Sequence, residues 1–189
     1  MKVFKLNHDV ENFPFLQETQ LEISIQYSDG DLRELCGERV ADTWMTIDLE
    51  WVSDNHMLTT KPDFAIWRAG EFACSESAYN QINEALDSSC EFLPLRVAGE
   101  RWYAINILKT CDAIDKDRTV LNVRANGKPS RVKRFKKLVL SSKSIKSGGL
   151  FRIENNGSGV YCNDELGGLY EIYHRCQLKG LIFEAVETS

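Results

Sequence analysis

The stretch that most constrains this chain runs from Pro62 to Asp115. The Ser75 hydroxyl can accept a hydrogen bond from an orphan amide in a helix's first turn, and Glu76 follows at the positive end of the dipole. Ala78, Ile82, Ala85 and Leu86 then recur at helical spacing, which lays one apolar stripe along about three to four turns. Asp87-Ser88-Ser89 ends that helix, and two runs of strand character follow at once, Phe92 to Val97 and Tyr103 to Leu108. A helix leading straight into a strand pair sets the expected fold class. It is α+β, a sheet-centred, largely antiparallel or mixed domain with two main helices, plus a β-rich N-terminal segment.

That segment is expected to cover residues 1–60 and to pack on a domain of residues 61–189. Lys2 to Leu6 is a short alternating strand, His8 to Gln17 is loop-like around Pro14, and Gln20 to Tyr27 alternates cleanly before the turn Ser28-Asp29-Gly30-Asp31. Thr43 to Val52 alternates again, with Met45, Ile47, Leu49 and Trp51 toward the core and Trp44, Thr46, Asp48 and Glu50 outward. Asn126-Gly127 reads as a hairpin turn between Thr119–Leu121 and Leu138–Leu140. Leu150 to Ile153 is a strand. A second helix is expected to start with Asn163 as cap and to bury Leu166, Leu169, Tyr170 and Tyr173, with a strand from Leu181 to Val186 after it. Residues 72–76 and 92–97 can be laid over 160–164 and 181–186, which suggests a duplicated cap–helix–strand unit with both helices on one shared sheet. Ile82, Leu86, Ile105, Ile107, Leu169 and Phe183 are expected to be buried together.

With 189 residues, 43% of them hydrophobic and 27% charged, the chain has the composition of one ordinary globular domain, with or without a small appendage. Six cysteines are scattered with no Cys-x-x-Cys pair, which fits reduced thiols in a cytoplasm. No signal peptide and no apolar run near the roughly 18 residues of a membrane span is found. The net charge of −5 hides a division. Residues 1–60 carry a dozen Asp and Glu against Lys2, Lys5, Arg33 and Arg39, whereas Lys116 to Lys146 is basic apart from Asp117.

Catalytic signals are missing. His8, His56 and His174 have no partner at metal-ligand spacing. Gly157-Ser158-Gly159 lacks the Lys and flanking elements of a phosphate loop. Asp112, Asp115 and Asp117 lack the Gly and closing Glu of a calcium loop and read as turn residues. No catalytic residue, metal or cofactor is therefore expected, and the protein is not read as an enzyme.

Pro62-Asp63-Phe64, Ser75-Glu76 opening a helix, Glu91-Phe92-Leu93-Pro94, Tyr103 to Leu108 running into Asp112-Ala113-Ile114-Asp115, Leu150 to Ile153 and Leu178 to Phe183 stand in an order that resembles immunity protein family 11 of bacterial polymorphic toxin systems. The resemblance covers roughly residues 61–186. It implies a cytoplasmic protein that binds and neutralises a cognate toxin, with no catalysis of its own and no membrane partner. Two alternatives from the residues stand beside it: a nucleic-acid-binding module using the basic hairpin 124–137, and an uncharacterised hydrolase. Only Phe135 interleaves the basic run, so nucleic acid is the less expected partner.

The expected contact face is the outward side of the Thr43 to Val52 strand, with Trp44 as anchor and Asp48, Glu50, Asp42 and Asp54 around it. Such a face suits a basic toxin, for example a nuclease. The competing face is the basic hairpin, with Arg131, Lys133, Arg134 and Lys137.

Overall fold

Ser75 caps the first helix through its Oγ, which accepts the Ala78 amide at 3.2 Å. The helix, α1, spans Glu76–Leu86 and buries Ala78, Ile82 and Leu86 as the stripe requires. The computed structural model describes residues 1–19, 35, 37–53, 58–128, 130, 134–145 and 148–189. The expected strand at Leu21 to Tyr27 and its turn lie outside the described residues, as do Cys36, Asp54, His56, Arg131 and Lys133.

Two six-stranded sheets and one two-stranded ribbon are present among the described residues. The first sheet takes β2 (Phe15–Glu18), β3 (Ile47–Val52), β4 (Phe64–Arg68), β5 (Glu71–Ser75), β6 (Cys90–Val97) and β7 (Glu100–Ile107). Their spatial order is β2-β3-β6-β7-β5-β4. The second sheet takes β1 (Val3–His8), β8 (Thr110–Cys111), β11 (Val139–Leu140), β12 (Phe151–Ile153), β13 (Val160–Asn163) and β14 (Leu181–Thr188), in the order β11-β14-β1-β13-β12-β8. The ribbon pairs β9 (Val120–Leu121) with β10 (Phe135–Lys137), and α2 spans Leu169–Arg175.

The two sheets repeat one topology. β4 and β5 form an antiparallel pair that leads through α1 to β6, and β7 separates β5 from β6, antiparallel to both. In the second sheet β12 and β13 lead through α2 to β14, and β1 separates β13 from β14, antiparallel to both. One further strand lies parallel beyond each third strand, β3 beside β6 and β11 beside β14. The segments aligned from sequence, 72–76 with 160–164 and 92–97 with 181–186, occupy equivalent places in these units. Both helices do not share one sheet, as the alignment suggested. Each has its own, and one apolar cluster joins them: Ile82 and Leu86 of α1, Leu169 and Ile172 of α2, Phe4 and Leu6 of β1, and Ile105 and Ile107 of β7.

The first sheet curls until its edge strands β2 and β4 lie against each other. Arg68 of β4 and Glu18 of β2 bridge that seam at 2.7 Å. Inside the curl Ala65, Ala73 and Ala104 sit among Leu16, Leu49, Leu93 and Val97 in a second cluster. Small and large side chains alternate there because a tightly curved sheet leaves little interior width.

Several expectations are corrected. Met45 is 71% exposed and precedes β3. The parallel ladder opens only at Ile47 opposite Leu95, since Pro94 has no amide to extend it. The loop at 8–17 is interrupted by β2, which starts directly after Pro14. The second helix begins at Leu169, not after Asn163, because Asn163 ends β13 and its Oδ1 accepts the Glu165 amide at 3.2 Å in a turn. Leu166 is consequently 90% exposed. Val139 and Leu140 leave the basic hairpin and join β14, so β10 supplies the returning arm. Of the expected core, Phe183 is only half-buried, edge-on to Phe4, Tyr170 and Tyr173.

Candidate functional site

Most of the sequence motifs hold segments of the chain together. Lys179 O accepts both the Asp63 and Phe64 amides at 3.0 Å, and the Lys179 amide donates to Asp63 Oδ2 at 2.9 Å. Gly180 O accepts the Asp9 amide at 3.0 Å and lies 3.0 Å from His8 Nδ1, while His8 Nε2 lies 3.0 Å from Pro14 O. Pro62-Asp63-Phe64 and Leu178 to Phe183 are thus two sides of one junction between the sheets. Burial pushes the His8 pKa down while the facing carbonyls oppose it. His8 is a tie between segments, and His174 is ringed by Tyr170, Tyr173 and Phe183.

Glu91 does the same for residues 38–44. Its carboxylate is buried and accepts the Val40 amide at 2.9 Å, the Ala41 amide at 3.2 Å and the Asn106 side-chain amide at 3.1 Å. Asn106 Nδ2 also donates to Glu38 O at 2.7 Å. This pins the short 3-10 turn Ala41–Thr43 over the curled sheet. Trp44 follows it, half-buried against the sheet interior, with its indole N–H donating to Pro94 O at 2.9 Å. Sequence periodicity missed Glu91 and Asn106, whose only signal was a polar residue at an inward strand position.

Two of the acids expected around Trp44 do share an open face. Asp48 and Glu50 are exposed on β3, and Asp42 is exposed in the turn. Alternation along β6 and β7 adds Pro94, Arg96, Arg101 and Tyr103 to the same face, which α1 covers only in part. Arg96 meets Asp48 at 3.1 Å and Arg101 meets Glu76 at 3.1 Å. Tyr79 of α1 stacks on Tyr103 with ring centroids 4.1 Å apart. The face is therefore mixed in charge, not simply acidic.

The competing basic hairpin closes a cleft of about 1000 Å³ over the outer side of the second sheet, where Lys5, Tyr161, Arg134, Lys136, Glu184 and Glu187 line it. Part of the hairpin's charge is used internally. Glu187 takes Arg118 at 2.8 Å and Lys137 at 2.9 Å, and the Lys137 bond leads in holding its carboxyl below the ordinary range. Arg134 reaches Asn155 O.

Among the described residues no group of three or more His, Cys, Asp or Glu is placed to hold a metal ion. No helix among them is long and apolar enough to cross a membrane. The five described cysteines are free. Burial pushes the Cys90 thiol up to about 12 and raises Cys74 and Cys162 as well, so these three pack as small hydrophobes and not as nucleophiles.

Glu71 is the one buried carboxyl with a raised pKa among the described residues, caused first by desolvation and opposed by Arg68, which approaches it at 3.8 Å. The folded state therefore holds the Glu71 proton more tightly than the unfolded chain does. Its contribution to stability is fully present below the unfolded-state value of 4.5 and is lost as pH rises through the folded-state value. Glu71→Gln cannot titrate. The stability of the parent minus that of the variant is expected to fall as pH rises from about 4 to about 7 in urea titrations. A flat or rising difference would contradict the burial effect.

Fold and site together define a two-sheet α+β protein whose buried polar groups are spent on tying its own segments, with open faces of mixed and basic charge. The chain belongs to the immunity protein family Imm11, whose family model matches residues 45–188. Membership implies a toxin-neutralising immunity role. A comparison with curated proteins finds no match.

Proposed function

We propose that this protein binds a cognate protein toxin in the cytoplasm and blocks it, protecting the cell that makes both. The observation that carries this is the family match over residues 45–188. The internal use of Glu91, His8 and Asp63 supports it, since these groups serve structure and leave recognition to the surface. The contact face is the outer side of β3 and its neighbours, with Asp48, Glu50 and Asp42 beside the half-buried Trp44, and the partner is a toxin that presents basic groups to these acids, such as a nuclease. The basic hairpin, with Arg131, Lys133, Arg134 and Lys137, is the second candidate.

The test is co-expression with the toxin domain encoded beside this chain's gene. The protein is expected to restore growth and to form a stable complex with that domain in gel filtration. If growth stays arrested at full expression and no complex forms, the reading is wrong.

A further inference from the structure

The open face of the first sheet carries a charge order that its sequence alone did not display. Arg96 of β6 and Arg101 of β7 are directly opposite each other in the antiparallel register. Both alternate with the inward Leu95, Val97 and Trp102, so both side chains leave the sheet on the same outer side. Like charges directly opposite on neighbouring strands destabilise a sheet. The counter-charges lie outside the pair, Asp48 at 3.1 Å from Arg96 and Glu76 at 3.1 Å from Arg101, and the Tyr103 hydroxyl also bonds Arg101. The four side chains are between 50% and 67% exposed. Across β3, β6, β7 and the start of α1 they make a strip of order negative, positive, positive, negative.

An apolar step borders the strip. Pro94 is exposed opposite Tyr103, and the Tyr103 ring is backed by Tyr79. Tyrosine and arginine carry a disproportionate share of interface energy, and a stacked tyrosine loses little freedom on binding. The guanidinium fork also matches a carboxylate in two-bond geometry.

We infer that the toxin is recognised on this strip by a carboxylate-bearing segment seated over Arg96 and Arg101, with basic side chains beside it meeting Asp48 and Glu76. The inference rests on the toxin-binding reading above and names the surface within it. An incoming carboxylate relieves the facing arginines, which the flanking acids cannot do from outside the pair. The complementary toxin patch is therefore acidic at its centre and basic at its edges. A uniformly basic patch would place like charge over both arginines.

The probe is the toxin domain encoded beside this chain's gene, titrated calorimetrically against the parent and against the double variant Arg96→Glu/Arg101→Glu, with folding checked first by urea titration. The double variant is expected to bind about 100-fold more weakly, while the hairpin variant Lys136→Glu stays near the parent. Arg96→Lys/Arg101→Lys keeps the charge without the fork and should fall between them. If the parent binds and the double charge reversal leaves affinity unchanged, this surface is wrong while the toxin-binding reading stands. If the parent shows no binding, both fall. A short DNA duplex serves as a second probe. Tight duplex binding lost in the double variant, with toxin binding intact, would assign the arginines to phosphate and overturn the inference.

Discussion

Gly180→Ala is expected to destabilise the protein by about 3–5 kcal/mol. Gly180 has φ +107°, a backbone conformation that residues with a Cβ rarely adopt. A Cβ built there would stand 2.0 Å from Phe64 O and 2.7 Å from Pro62 Cβ. Neither neighbour can give way cheaply. The Phe64 amide is fixed to Lys179 O at 3.0 Å, Phe64 is 1% exposed, and Gly180 O holds the Asp9 amide. Strain at the backbone costs roughly 1–3 kcal/mol and the forced shift of the junction a similar amount. At this chain length the loss corresponds to a fall of about 10 °C in Tm. Gly99→Ala separates the two terms. Gly99 has φ +85° in the turn between β6 and β7, but nothing lies within 4 Å of its built Cβ, so only the backbone cost applies. Calorimetry giving the two variants equal Tm values would show that the contact with Phe64 O carries no weight.

That junction also shows where sequence was readable and where it was not. The Ser75 cap and the stripe of α1 were legible because a helix of eleven residues repeats its own signal. Strands β6, β7 and β14 were legible to within a few residues for the same reason. The start of α2 was misplaced because Asn163, Asp164 and Glu165 have cap chemistry, yet here they form a turn before a helix of only seven residues. Met45 was misplaced because alternation cannot report that Pro94, on a strand far along the sequence, ends the ladder. The two-sheet arrangement was illegible for a different reason. β1 is inserted between β13 and β14, and no local pattern encodes a pairing between Phe4 and Cys162. The facing arginines belong to the same class: Arg96 and Arg101 are five residues apart in sequence, and only the register of the hairpin at Ala98-Gly99 sets them opposite each other.

Glu91→Gln is the second large effect expected, about 2–4 kcal/mol, and it links the fold to the binding face. The Glu91 carboxylate is 8% exposed and accepts three hydrogen bonds, from the Val40 and Ala41 amides and from Asn106 Nδ2. A glutamine keeps the volume and one acceptor oxygen, but it turns an N–H group toward donors that need an oxygen. Bonds to a charged acceptor contribute about 1.5–3 kcal/mol each, and a buried donor left unpaired adds its desolvation cost. The loss should be concentrated in residues 38–44. Hydrogen exchange at the Val40 and Ala41 amides is expected to accelerate more than exchange in α1, since local opening becomes easier than global unfolding. Trp44 rides on this segment and holds Pro94 O beside the arginine strip, so toxin affinity should weaken along with the local stability. Glu84→Gln, on the exposed side of α1, supplies the comparison and should leave both quantities near the parent. Unchanged exchange at Val40 and Ala41 in Glu91→Gln would mean that the segment is held by its own packing. Glu91 would then be a buried charge without an anchoring role.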